Sequence, residues 1–65
     1  MHAPKDVLVA ELVAQLDEGE REAFEERAAI MEFDAHLPRA HAECLALLDL
    51  LRRHPALALR LFERR

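Results

Sequence analysis

His36, His41 and Cys44 stand in the spacing H-x4-H-x2-C, and the last two lie one helical turn apart, so an imidazole and a thiolate are placed to share a zinc or copper ion. A metal site needs more than this. His36 precedes Pro38, no further Cys or His follows at ligand spacing, and His41 and Cys44 fall on an apolar helical seam. That position fits a packed cysteine beside a boundary histidine, and the sequence predicts neither metal nor cofactor. Cys44 and His41 are also the one candidate nucleophile and base, because a thiolate forms at neutral pH beside a base or cation. The chain contains no Asn, Ser or Thr and no glycine-rich loop to hold an oxyanion. Sixty-five residues also leave no room for a reaction pocket of roughly 300 Å³ or more. Glu18, Glu20, Glu22, Glu25 and Glu26 offer carboxylates in number, but on successive turns of one helix they read as a solvated face. A sharper alternative has them mimic phosphates in a partner's basic groove. No enzyme is predicted.

The arginines raise a different chemistry. Met31 to Leu45 has the layout of a DNA-binding helix-turn-helix, with Leu37-Pro38-Arg39-Ala40 as the turn and the opening of a recognition helix, and Ala42 and Leu45 packed inward. Arg39, Arg52 and Arg53 would then meet nucleic acid. His36 occupies the usual turn glycine's place, and the exposed side of that helix has no Asn, Gln or Ser to read base edges. The net charge of −4 also opposes phosphate binding. It hides an asymmetry, −7 over residues 1–37 and +3 over residues 38–65, that lets the two halves attract each other.

The elements that carry these residues are all helical. Hydrophobic residues make up 52 % of the chain, dominated by Ala and Leu, with no Trp or Tyr, one Gly and three Pro, and no strand-like alternation. Val9, Leu12, Val13 and Leu16 give the three-and-four spacing of a first helix over about 6–16, after a flexible 1–5. Asp17 and Glu20 fit a capping box that starts a second helix over about 18–35. Gly19 inside one continuous helix is the alternative, at a cost of about 1 kcal/mol. The second helix has a seam of Phe24, Ala28, Met31 and Ala35, and a second stripe of Ile30, Phe33 and Leu37 on its other side. Pro38 ends it and suits the first turn of a third helix over about 38–53. Ala40, Cys44, Leu47, Leu48 and Leu51 form the expected inner face, with Arg39, Glu43, Asp49 and Arg53 opposite. A tight turn then predicts the pairings Met31 with Cys44, Ala28 with Leu48, and Phe24 with Leu51. His54-Pro55 repeats the stop signal before a short last helix built on Leu57, Ala58, Leu61 and Phe62, with Arg60, Arg64 and Arg65 near its C-terminal end.

The segment Glu25-Glu26-Arg27-Ala28-Ala29-Ile30-Met31-Glu32-Phe33-Asp34, continued by Leu37-Pro38-Arg39-Ala40 and Ala42-Glu43, resembles a stretch that recurs in bacterial plasmid and prophage proteins. Some of these are similar to replication or primase-associated polypeptides. The resemblance implies a mobile-element context and no activity, and it transfers no functional residue. It departs from the pattern at Ala35 and His36, where such segments often carry glycine.

A domain this small buries only about 60 % of the surface of its unfolded chain, and a single cysteine forbids an intrachain disulfide. The sequence thus predicts one all-α domain, an antiparallel helical hairpin extended to a three- to four-helix bundle and completed by oligomerisation or a protein partner. It has no signal-like apolar run and no membrane span, which places it in the cytoplasm with Cys44 reduced. The expected function is a non-catalytic protein-interaction module of a mobile element. Its contact surface is Ile30, Phe33 and Leu37, followed by Leu50, Leu57, Leu61 and Phe62. The alternative is a nucleic-acid-binding regulator using Arg39, Arg52 and Arg53, and neither reading involves a small-molecule substrate.

Overall fold

A computed structural model of the chain describes residues 4–63. Within them lie α1 (Val7–Val13), α2 (Glu18–Asp34), α3 (Arg39–Arg53) and α4 (Pro55–Glu63), with no strand among the described residues. Residues 1–3, and Arg64 and Arg65 expected at the end of the last helix, lie outside the described residues.

Each helix boundary has a local cause. Asp6 caps α1, its Oδ1 accepting the backbone N–H groups of Leu8 at 2.9 Å and Val9 at 3.1 Å. The regular helix ends at Val13, earlier than periodicity predicts, because Gln15 and Leu16 donate to carbonyls three residues back and tighten the chain. Leu16 is still buried. Asp17 and Glu20 form the full capping box: Glu20 N–H donates to Asp17 Oδ1 at 2.7 Å, and Asp17 N–H donates to Glu20 Oε1 at 2.9 Å. α1 and α2 are therefore separate helices. α2 stops at Asp34, and His36 follows with φ 57°, the left-handed conformation that a glycine adopts freely. Pro38 is the N-cap of α3 and not its first residue; its carbonyl accepts Ala42 N–H at 2.9 Å. His54 ends α3 and offers its carbonyl to Leu57 N–H, so α4 starts at once with Pro55 in its first turn.

α3 is the central element: α2 packs along it, and α1 and α4 each touch it. The core takes Val9, Leu12, Val13 and Leu16 from α1 and the turn after it, Phe24 and Ala28 from α2, Ala46, Leu47 and Leu50 from α3, and Leu57 and Leu61 from α4. Phe24 and Leu61 are the largest side chains fully removed from solvent.

The inner face of α3 differs from the expected one. Ala42, Glu43, Ala46, Leu47 and Leu50 are buried, while Cys44 and Leu48 are exposed. The helix is rotated by roughly 100°, one residue's worth, relative to the predicted seam. Leucines at 45, 47, 48, 50 and 51 spread over more than half of the circumference of α3, so periodicity leaves the centre of its inner face open by a residue. The small Ala42 and Ala46 and an ionic anchor at Glu43 decide the orientation instead. Cys44 and Leu48, expected to face Met31 and Ala28, are therefore exposed. Leu50, Leu57 and Leu61, expected as contact residues, are core side chains at 6 %, 3 % and 0 % exposure and present no surface.

Candidate functional site

The ion pairs of α2 and α3 gather into two clusters of opposite make-up. Near the start of α3, Arg39 is surrounded by three carboxylates. Its Nε donates to Glu43 Oε2 at 2.9 Å, its Nη2 to Glu25 Oε2 at 3.1 Å and its Nη1 to Glu32 Oε1 at 3.3 Å. Glu43 is almost fully buried, and its second oxygen accepts the backbone N–H of Lys5 at 3.0 Å. Burial works against the Arg39 charge, but the hydrogen bonds to Glu43 and Glu32 outweigh it and hold the guanidinium above its ordinary pKa. Arg39 is thus a structural cation with its fork fully engaged, and it is not free to meet nucleic acid.

Near the end of α3 the arrangement is inverted. Asp49 accepts a hydrogen bond from Arg52 Nη2 on Oδ1 at 2.9 Å and pairs by charge through Oδ2 with Arg53 Nε and Arg27 Nε at 3.2 and 3.3 Å. The Arg52 hydrogen bond, with the charges of Arg53 and Arg27, holds the Asp49 carboxyl below its usual value against some burial. Beside this cluster, between α2 and α3, lies a cleft of about 160 Å³ reaching from Ala23 and Ile30 to Arg53 and His54. Arg60 makes a separate bridge from α4 to the first turn of α2, its Nη2 donating to Glu20 Oε1 at 2.6 Å. That bond and the Asp17 N–H hold the Glu20 carboxyl below its usual value.

Apolar surface remains outside the core. Ile30 and Phe33 of α2 are exposed, Phe33 at 72 %, and Leu37 is half-buried. Val7 and Leu8 of α1 and Leu48 of α3 are exposed as well, and on α4 Leu59 at 66 % and Phe62 at 50 % face outward beside Pro55, Ala56 and Ala58 in a shallow, mostly apolar depression edged by Glu63. Sequence reading found Phe62 but missed Leu59. The spacing Pro55, Leu59, Phe62 is the signal that identifies a second stripe on the same short helix.

His36, His41 and Cys44 are all exposed, and among the described residues no group of three or more His, Cys, Asp or Glu is placed to hold a metal ion. No helix there is long and apolar enough to cross a membrane. No family model matches the chain, and neither a curated protein nor a solved structure matches it.

Proposed function

We propose that the chain is a non-catalytic protein-interaction module of the cytoplasm: an antiparallel hairpin of α2 and α3, with α1 and α4 folded onto it as a small bundle, that docks another protein through the outward face of α4. One observation carries this reading. α4 is apolar on two sides, with Leu57 and Leu61 in the core and Leu59, Phe62 and Pro55 facing outward, and an exposed apolar patch rimmed by charged residues such as Arg60 and Glu63 marks a surface for another protein.

The partner is a different and larger protein. A nine-residue helix is about 13 Å long. That is short for a two-fold contact of the roughly 1,200 Å² that stable interfaces bury. A larger partner reaches Ile30 and Phe33 of α2 as well. The resemblance of residues 25–43 to plasmid and prophage segments supports a bacterial mobile element as the setting.

The test is a tagged pull-down from native host lysate, with and without nuclease, comparing the parent with Leu59→Glu/Phe62→Glu. A nuclease-resistant partner retained by the parent and lost by the variant, with unchanged far-UV helicity, is the expected result. Equal recovery by both, or recovery of nucleic acid alone, overturns the reading.

A further inference from the structure

Independently of the α4 surface, the three-arginine cluster leaves charge unanswered. Arg27, Arg52 and Arg53 converge on one carboxylate, so Asp49 cancels one positive charge of three. The partial negative end of α3, about half a charge, offsets a little more. Among the described residues, Arg27 and Arg53 pair with Asp49 through Nε and with no other carboxylate, so their terminal N–H groups are not committed to one there. Both border the cleft of about 160 Å³, together with His54, and Ile30, Ala46 and Leu50 give the cleft an apolar side. The contrast with Arg39 is direct, because there every arm of the guanidinium has a carboxylate.

We propose that this cleft binds a compact dianion of the phosphomonoester class, held by the free arms of Arg27 and Arg53 with Arg52 contributing charge. Counting Glu26, which also lines the cleft, the three arginines exceed the carboxylates by about one charge at most, and the match to a phosphate rests on guanidinium forks suited to its oxygens. A nucleic-acid strand is disfavoured. Its neighbouring phosphates would be brought against Glu26 at the rim of the cleft, and against Glu18 and Glu22 on the same helix. The phosphomonoester is either a free small molecule or a phosphorylated side chain on a partner, and the two share this chemistry.

The test is an NMR titration of the full chain, following the arginine Nε–H resonances. The additions are inorganic phosphate, phenyl phosphate, a phosphoserine peptide and a single-stranded oligonucleotide, each against sodium chloride at matched ionic strength. Saturable shifts at Arg27 and Arg53, with Arg39 unmoved, are expected. Arg53→Gln should weaken phosphate binding by roughly tenfold or more, the scale of a lost charge-assisted hydrogen bond, with helicity unchanged. Asp49→Asn should tighten it, since the surplus rises. Tightest binding of the phosphopeptide assigns the ligand to a partner, and tightest binding of phenyl phosphate assigns it to a small molecule; either supports the site. Linear shifts that chloride reproduces, or an oligonucleotide that binds more tightly than phosphate and displaces it, overturn the proposal.

Discussion

The two ends of the α2–α3 pair solve opposite electrostatic problems with the same residue types. At one end a single arginine serves three carboxylates. At the other a single carboxylate serves three arginines. The Arg39 cluster is closed, with the Glu43 side chain only 4 % exposed and fastened to the N-terminal segment through Lys5. The Asp49 cluster is open, with the Arg52 side chain 72 % and the Arg53 side chain 53 % exposed. Charge count alone does not separate structure from available surface. Burial and the number of engaged hydrogen-bond arms do, because a desolvated pair cannot lose one member without stranding the other.

The largest effect should come from opening the closed end. Arg39→Ala strands the buried Glu43 and should cost about 3 kcal/mol. A chain of this length has only about 3 to 10 kcal/mol in total, so urea denaturation followed by circular dichroism should find the midpoint lowered by about a third or more. The paired replacement Arg39→Met/Glu43→Leu removes both charges together and should recover most of that loss. If the double variant is as unstable as the single one, the cluster is not an ionic anchor.

A second, smaller effect lies in the turn that delivers Arg39. His36 holds a left-handed backbone that costs a non-glycine residue about 1 kcal/mol or slightly more, so His36→Gly should raise stability by about 1 kcal/mol. An unchanged or lower denaturation midpoint would show that the His36 side chain compensates for its backbone.

Acid should act on the open end and on the α4 bridge. Asp49 and Glu20 have lowered folded-state pKa values, so the stability they give is complete above their ordinary values of 3.8 and 4.5 and is lost as pH falls through the lowered ones. Denaturation midpoints should hold from neutral pH to about 4.5 and then decline. The decline should flatten in Glu20→Gln/Asp49→Asn. The smallest effect is expected from Asp49→Ala at high salt, where an exposed cluster is screened and the midpoint should match that of the parent.

Much of this was readable from residue order. The capping pair Asp17 and Glu20, the restart at Pro55 and the apolar face of α1 are local signals, and they place three of the helices. The orientation of α3 was not readable, because its leucines spread over more than half of its circumference and its packing is settled by alanines at 42 and 46. Burial of Glu43 was also hidden. A glutamate on a helix reads as solvated, and its partners come from Arg39 one turn away and from Lys5, 38 residues away in sequence. A faint sign exists in Glu25 and Glu32, seven residues apart and therefore on one face of α2, aimed at one cation. For α4, both apolar stripes are legible in the sequence, but which of them faces the core depends on contacts that no local pattern contains.

The bond from Lys5 to Glu43 uses only the main chain of residue 5, and the Lys5 side chain plays no part in it. Nineteen of the twenty amino acids bring the same donor to that place, and proline alone brings none. Position 5 should therefore drift freely across natural variants and look unimportant by its variability. A saturation scan should find a single intolerant substitution there, Lys5→Pro, at a site whose identity carries almost no information and whose geometry carries the attachment of the first helix.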